Sequence, residues 1–455
     1  MNIQISKDAA FLLRTLESSG YQAYLVGGCI RDSLLGIEPK DWDVATNAHP
    51  LEIANLFSSF HPKQSDLKTG VVKIVLEDRP YELTPFRVET GTADHRHPQK
   101  VRFVNSVTAD LARRDFTINA MAYHPQEGLI DPYGGLCDLS EGKIRTVGSP
   151  QLRFWEESIR ILRALRFSAR YRFSITPATQ QAICTQSPLL ASLPVERILS
   201  ELLSFLCEPF PAFSILSSPE PLLVCIPELS PFLSSSESAA SFHAQTKDSP
   251  LFRTAQAMEL APSSPDIRLA TLLSPLALPC YSAEGSCLFS IANRSVSARV
   301  LPVLKRLKAS RSLQKQVLFF LSALHLPCPS NKQKLLFWLR RFGQEPTKQL
   351  LLFRHCLAVA GSPALSESSI SAWEEAINKL HQLTSQSICY STNQLAVSGN
   401  DLMAIGFPPG KELGLLLERL LDLVIEETIP NKKNSLLQEA RQELDRISID
   451  QHTPL

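Results

Sequence analysis

Residues 24–46 read YLVGGCIRDSLLGIEPKDWDVAT, and the fold turns on how that stretch is parsed. Ala23–Val26 is an apolar run closed by Gly27-Gly28, which predicts a buried strand and a tight turn. A short helix follows, then a loop containing Pro39, then a second strand carrying Asp41 and Asp43. Alternation along that strand places both carboxylates on one face and the Trp42 indole on the other. Two carboxylates held side by side repel unless hard cations sit between them. Mg²⁺ suits that role, since it takes oxygen ligands and keeps places for water and substrate phosphates. The glycine turn lets backbone approach a bulky anion, with the amides of the following helix directed at it. Triphosphate on one side and metal carboxylates on the other is the arrangement that nucleotidyl transfer needs.

On either side of this stretch the pattern stays mixed α and β. Asp8 to Ser19 has the spacing of an amphipathic helix that pads the first strand. After the Asp-Trp-Asp triplet, Pro50 opens a helix whose apolar face is Leu51, Ile53, Leu56 and Phe57. VVKIVLE (71–77) and YELTPFR (81–87) read as a hairpin around Asp78-Arg79-Pro80. Glu82 lies on its second strand, where it is either a third acid facing the Asp pair or a surface glutamate. Residues 89–106 are polar and rich in His and Arg, a composition that suits a mobile loop near a nucleotide. His95 and His97 have no acid or cysteine at ligand spacing, which argues against a zinc site. Arg113-Arg114-Asp115 precedes or opens a helix expected to run through Asn119 and Met121; alone it would be a solvated charge cluster.

A helix is expected from about Glu156 to Tyr171, with Ile161, Leu162, Leu165 and Ala169 on its apolar arc. Glu157, Arg160, Arg163 and Arg166 recur every third residue and so form a polar spiral largely opposite that arc. From Arg145 to Arg172 there are seven arginines, two glutamates and no lysine, a bias that favours a surface facing anions over a solvated face. Glu157 beside Arg160 also offers an acceptor next to a donor. Cytosine and adenine present an amine donor beside a ring acceptor; uracil and guanine present the reverse. That pair therefore suits C and A and opposes U and G without a nucleic-acid template.

Taken together, the Gly-Gly turn, Arg31-Asp32, the Asp pair, RRDFTINAMAY, DPYGGLCDL and RFWEESIRILRALRF resemble the polymerase-β-like nucleotidyltransferases, in the expected order. More narrowly they resemble the class II group of tRNA CCA-adding enzymes and bacterial poly(A) polymerases, densely over about residues 20–205. The resemblance implies an α+β fold: a nucleotidyltransferase head with a small mixed sheet (1–145), then an all-helical neck (146–210), body (211–385) and tail (386–455). It implies Asp41 and Asp43 as Mg²⁺ ligands, with Glu82 a third candidate for the catalytic set. Gly28, Arg31 and Arg114 would grip the triphosphate, and Asp115 would lie near the ribose or the carboxylates. Glu157, Arg160, Arg163 and Arg166 would select and orient the base. A flexible element is implied over residues 89–106. Where CCA-adding enzymes carry Glu-Asp-x-x-Arg, this chain has Glu156-Glu157-Ser158-Ile159-Arg160, so its acceptor arm is one methylene longer.

Farther along, PVERILSELLSFL (194–206) resembles the closing neck helices, and Ser- and Pro-rich residues 209–250 read partly as a long loop. Some relatives carry a His-Asp phosphohydrolase segment; the comparable stretch here, 269–279, has Ser274-Pro275 instead. Residues 293–380 read as helical, with basic patches at 305–311 and 331–341 suited to holding tRNA. Residues 395–427 resemble the tail of Bacillus-type CCA-adding enzymes. There, Gly399-Asn400-Asp401 and Pro408-Pro409-Gly410-Lys411 mark joins where backbone amides can meet an RNA phosphate.

Net charge is +1, so any nucleic-acid surface must be local. Ten cysteines without a C-x-x-C pair suit reduced, mostly buried thiols. The absence of a leader-like h-region or a run of about 18 apolar residues predicts a cytoplasmic protein with no membrane partner. The expected reaction is addition of CCA to tRNA from CTP and ATP. The alternatives are a poly(A) polymerase or other enzyme acting on RNA 3′ ends, an A-adding tRNA enzyme, and an RNA-binding protein on an inactive scaffold. Oligomeric state has no signature in the sequence.

Overall fold

In the computed structural model, which describes residues 3–66, 70–92, 94–95, 98–232, 250–277, 289–361, 370–385 and 388–450, the stretch quoted above forms the middle of a sheet. The chain runs α1 (Lys7–Ser18), β1 (Ala23–Val26), α2 (Gly28–Leu34), β2 (Asp43–Thr46), α3 (Pro50–Leu56), β3 (Lys63–Asp66), β4 (Val71–Leu76) and β5 (Arg79–Pro85). It continues β6 (Arg87–Thr92), β7 (Pro98–Phe103), α4 (Val107–Leu111), β8 (Ala122–His124), β9 (Gly128–Ile130), α5 (Gly135–Ser140) and β10 (Lys143–Ile144). Then come α6 (Pro150–Glu156), α7 (Arg160–Tyr171), β11 (Ser174–Ile175), α8 (Pro177–Gln186) and α9 (Val195–Leu206). All these elements lie in one compact unit, formed by Met1–Glu259, Ser263–Leu276 and Ser297–Leu318. A second unit comprises Leu260–Pro262, Ala277–Val296 and Phe319–Leu455, and its longer helices are Lys332–Phe342, Gln344–Val359, Ile370–Ser385, Lys411–Ile425 and Lys433–Asp450.

Among the described residues the main sheet has seven strands in the order β3-β4-β5-β2-β1-β8-β9. Neighbours are antiparallel except β2 and β5, which are parallel. Every residue of β1 is buried, because sheet partners flank it and α1 packs against it. The register Val26 opposite Asp43 sets the Gly27-Gly28 turn beside the first acid of β2. Leu83 opposite Val44 brings Glu82 to the same end of the sheet. The mixed head and helical remainder agree with the α+β expectation.

Several local expectations are corrected. Asp41 and Trp42 precede β2 rather than lying on it. The β4–β5 turn is Glu77-Asp78, both with positive φ (45° and 62°), and Pro80 is already paired opposite Val75. A two-residue turn of that hand matches strand twist, which a proline-centred turn would not. Leu51 is exposed at 64 %, so the inner face of α3 is narrower than the composition suggests. Arg87–Thr92 and Pro98–Phe103 form a two-stranded antiparallel ribbon, β6 with β7, where a loop was expected. No α-helix follows Asp115: Thr117–Asn119 is a single 3-10 turn, and the chain then enters β8 to pair with β1. Of residues 209–250, expected to be partly a long loop, Pro211–Ser217 and Glu220–Cys225 are short helices, and 233–249 lie outside the described residues.

The basic patches are partly neutralised. Arg306 pairs with Glu228 and Lys308 with Glu196, each at 2.6 Å. Lys332 pairs with Glu427, and Arg340 with Glu418 and Asp422. The amides at Gly399–Asp401 are partly taken as well, since Ser398 and Asp401 form a reciprocal cap there. The helix Lys411–Ile425 has no side-chain cap.

α5 braces the loop that the site uses. Asp131 accepts from the Gly135 and Leu136 amides at 2.7 and 2.9 Å, and Asp138 accepts from Thr117 Oγ1 at 2.6 Å. A Cβ on Gly135 would lie 2.2 Å from the Thr117 carbonyl oxygen, whereas one on Gly134 would meet nothing within 4 Å. Gly135→Ala should therefore destabilise by about 1–3 kcal/mol through overpacking against backbone. Gly134→Ala, whose residue has φ 72°, should cost about 1 kcal/mol from its left-handed backbone alone. Urea midpoints of the two variants test this; equal losses would show that close approach is not what demands glycine at 135.

Candidate active site

Gly28, Arg31, Asp41, Asp43, Glu82, Arg114, Asp115, Glu157, Arg160, Arg163 and Arg166 all line one cavity of about 770 Å³. Sequence positions more than a hundred residues apart meet there because α7 packs behind the Gly-Gly turn. Arg31 lies 5.0 Å from the Phe167 ring centre and 5.1 Å from that of Tyr171.

One wall is acidic. Asp43 opens β2, and Asp41 stands exposed in the preceding loop. Burial pushes the Asp43 carboxyl up to about 6; Arg114 opposes this, while Glu82 and Asp41 add to it. Glu82 is half-exposed and pairs across the strands with Lys73 at 2.7 Å, so its carboxylate already has a cation. No group of three His, Cys, Asp or Glu side chains forms a ready-made cage among the described residues. A partly buried Asp43 beside an open Asp41 is a donor set that fits a divalent cation completing its shell with water or phosphate oxygens.

The opposite wall is built of guanidinium groups. Gly27, with φ 78°, takes a backbone conformation that favours glycine. A Cβ there would meet Arg114 Nη1 at 2.8 Å. Arg114 touches Asp110 only at 3.4 Å, and its buried Nε has no partner, which leaves it able to take an anion. Arg31 is held more firmly. Its Nε and Nη2 donate to Asp32 at 3.0 and 2.9 Å, and its Nη1 donates to Asn119 Oδ1. The Phe167 ring lies beneath three guanidinium groups, with Arg163 at 5.4 Å and Arg166 at 5.0 Å joining Arg31.

Asp115 is a hub rather than an open ligand. Oδ2 accepts from Arg163 Nε and Nη2 at 2.9 and 2.6 Å; Oδ1 accepts from the Phe116 amide at 2.8 Å and from Asn119 Nδ2 at 3.0 Å. Burial alone would raise its carboxyl, but Arg163, Asn119 and Arg160 outweigh that and hold it well below the usual carboxylate range. Arg166 donates to Glu201 at 2.6 Å.

The helix expected from Glu156 to Tyr171 is broken. α6 ends at Glu156, Glu157 is extended (φ −149°, ψ 94°), and α7 starts at Arg160. The Ser158 amide leaves the helical ladder to donate to the His95 carbonyl at 3.1 Å, and the Ser158 hydroxyl donates to the Leu189 carbonyl at 3.5 Å. The His95 ring sits 4.2 Å from the Trp155 ring, and its Nδ1 is 2.7 Å from the Trp155 carbonyl oxygen. The tip of the β6–β7 ribbon is thus fastened to the break that carries Glu157. His97 lies outside the described residues.

Sequence reasoning missed Phe167 and the inner face of α9. Arg197, Ser200 and Glu201 line the cavity while Ile198, Leu199 and Leu202 are buried. The helical spacing of Arg197, Ser200 and Glu201 opposite those apolar residues was a usable signal. Phe167 gave none, since an aromatic one turn from an arginine is ordinary core.

Residues 23–145 match the family described as Poly A polymerase head domain. Residues 172–217 match an RNA and SrmB-binding site of polymerase A, and 283–440 match tRNA nucleotidyltransferase domain 2. The CCA-adding enzyme of Lactiplantibacillus plantarum is 31 % identical over 435 residues, covering 95 % of each chain. This chain belongs to the CCA-adding enzyme family. The enzyme of Enterococcus faecalis is 30 % identical over 441 residues, 96 % of each chain. A crystal structure of the Bacillus stearothermophilus CCA-adding enzyme with CTP superposes with a TM-score of 0.69 at 25 % identity, covering 98 % of each chain. The Thermotoga maritima enzyme complexed with tRNA shares the fold, at TM-score 0.57 and 22 % identity over 97 % of this chain and 96 % of that one. Among the described residues no single helix is long and apolar enough to cross a membrane.

Because the Asp43 carboxyl is raised, the folded state binds its proton more tightly than the unfolded chain does. That contribution to stability is present below the ordinary carboxylate pKa and is lost as pH rises through about 6. In EDTA, Asp43→Asn should therefore melt higher than wild type at pH 7.5, by up to about 3 kcal/mol, and the two should converge near pH 4. Equal melting at both pH values would show that Asp43 is not held against its charge.

Proposed function

We propose that this protein adds C, C and A to the 3′ end of tRNA, taking CTP and ATP as substrates and releasing pyrophosphate. The carrying observation is that the Asp pair and the arginine wall share one cavity, in a chain aligned almost end to end with CCA-adding enzymes. The tRNA 3′-hydroxyl oxygen attacks the α-phosphorus of the bound nucleotide. A P–O bond forms there as the bond to the β-phosphate oxygen breaks, and the hydroxyl proton leaves to solvent. Mg²⁺ held by Asp41 and Asp43 would supply Lewis-acid stabilisation to the attacking and leaving oxygens. Arg31 and Arg114, with the backbone at Gly28, grip the triphosphate. Asp115 acts through Arg163 and Asn119. Glu157 and Arg160 read the base edge, and Arg163 and Arg166 orient the nucleotide from the Phe167 platform. Glu82 is the further acid available to the catalytic set, once freed from Lys73.

The division into head (1–145), neck (146–210), body (211–385) and tail (386–455), with body and tail holding tRNA, belongs to this proposal, as does a cytoplasmic location. Retention of both Asp41 and Asp43 speaks against an inactive RNA-binding scaffold.

Asp41→Ala and Asp43→Ala should each abolish incorporation while filter binding of tRNA persists, because the carboxylates hold metal and not RNA. Retained incorporation in either would remove that assignment. Product class is decided on one gel, with tRNA ending at its discriminator base, tRNA ending in CC, and an unstructured RNA, each given CTP, ATP or both. CCA addition yields three added nucleotides on the first, one on the second, and then a stop. Long ATP-only ladders on unstructured RNA would mean a poly(A) polymerase, and extension of the CC-ended tRNA alone would mean an A-adding enzyme.

A further inference from the structure

The carboxylate of Glu157 is reached by two guanidinium groups from different helices. Arg197 Nη2, on α9, donates to Oε1, and Arg160 Nε, on α7, lies 3.3 Å from Oε2. The two arginines are not equivalent. Arg160 is largely committed to the frame: Nη1 donates to the Arg153 carbonyl and to Glu156, both at 3.3 Å, and Nη2 donates to the Arg113 carbonyl at 3.1 Å. Its side chain is 9 % exposed. Arg197 has 32 % of its side chain exposed, and among the described residues it bonds through its side chain to Glu157 alone. The rest of its fork lines the cavity.

The reach of Glu157 depends on its extended backbone and on its length. With φ −149° and ψ 94° the residue lies between two helices, so its side chain is free to cross toward α9. An aspartate at that position would be shorter by one carbon–carbon bond, about 1.5 Å, and would fall short of Arg197. The glutamate that departs from the Glu-Asp-x-x-Arg pattern therefore has a partner that accounts for its extra methylene.

We infer that Arg197 is a positioning residue for nucleotide selection: it anchors one oxygen of Glu157 so that the other stays directed at the incoming base. Oε2 then accepts the exocyclic amine of cytosine or adenine, while the adjacent Arg160 N–H donates to the ring nitrogen. Without the anchor, the longer arm samples several rotamers and the donor–acceptor pattern loses its register. The inference rests on the base-reading role proposed for Glu157, and the experiment separates the two.

Steady-state kcat/KM is measured for CTP, ATP, UTP and GTP on truncated tRNA acceptors. The proteins are wild type, Arg197→Ala, Arg197→Lys, Glu157→Ala, Glu157→Asp and the Glu157→Asp/Arg197→Ala double variant, with thermal midpoints confirming that each is folded. Arg197→Ala should lower the preference for CTP over UTP and for ATP over GTP by about tenfold or more. Arg197→Lys, which keeps the charge and can still donate one bond, should recover part of it. In the Glu157→Asp background, where the shorter arm does not reach α9, removing Arg197 should change the preference less than about twofold. An equal loss in both backgrounds, or no loss in the Glu157 background, would overturn the anchoring role. Unchanged preference in Glu157→Ala, which has no acceptor, would instead overturn the base-reading role beneath it, and the inference with it.

Discussion

The buried carboxylate of Asp115 ties together the parts of the site that come from different stretches of chain. Both of its oxygens carry two hydrogen bonds, to Arg163 on α7, to Asn119, and to the Phe116 amide. Asn119 in turn receives Arg31, which stands directly behind the Gly-Gly turn. One carboxylate therefore fixes Arg31 behind the Gly-Gly turn and Arg163 on α7 in a single frame. Breaking a buried pair from one side costs on the order of 3–5 kcal/mol, because the partner charge is left without compensation. Asp115 is thus bound into the frame before any nucleotide arrives.

The same logic governs the remaining arginines. A cavity lined by so many guanidinium groups would repel itself if each charge were bare. Glu201 engages Arg166, Asp32 engages Arg31 and approaches Arg170 at 3.5 Å, and Glu156 engages Arg153 and Arg160. Arg114 is the contrast: its contact with Asp110 is long and its Nε is unpaired. The cavity thus contrasts one loosely held arginine against Gly27 with a set of neutralised ones around Phe167. On the acidic wall the imbalance has the opposite sign, since Asp43 is buried more deeply than the surrounding charge compensates. That is the side of the cavity whose donor set fits a divalent cation.

What was legible in the sequence follows physical range. β1, the Gly-Gly turn, α1 and α9 were readable because local periodicity and glycine chemistry dictate them. All the named site residues converge because sheet register and helix packing follow from those elements. Failures came where a distant partner decides. The α6–α7 break at Glu157 depends on the His95 carbonyl, some sixty residues earlier, taking the Ser158 amide. Residues 89–106 look like a loop by composition, yet two polar strands satisfy each other as a ribbon. The basic residues of the later helices also have tertiary partners, invisible in any local window: ion pairs engage Arg306, Lys308, Lys332 and Arg340.

The break at Glu157 also decides what its carboxylate can reach. Inside a helix, the side chain would be confined to one face and aligned with Arg160 one turn away, a pair that closes on itself. Extended backbone keeps one carboxylate oxygen 3.3 Å from Arg160 Nε yet lets the other reach Arg197 on α9, and the ribbon is fastened to the break through His95 and Trp155. The backbone groups freed there are not left unsatisfied, since the Ser158 amide has its acceptor in the ribbon. Position and freedom are thereby separated: the frame around Arg160 is rigid, while the acceptor arm is held by a contact that can be tuned.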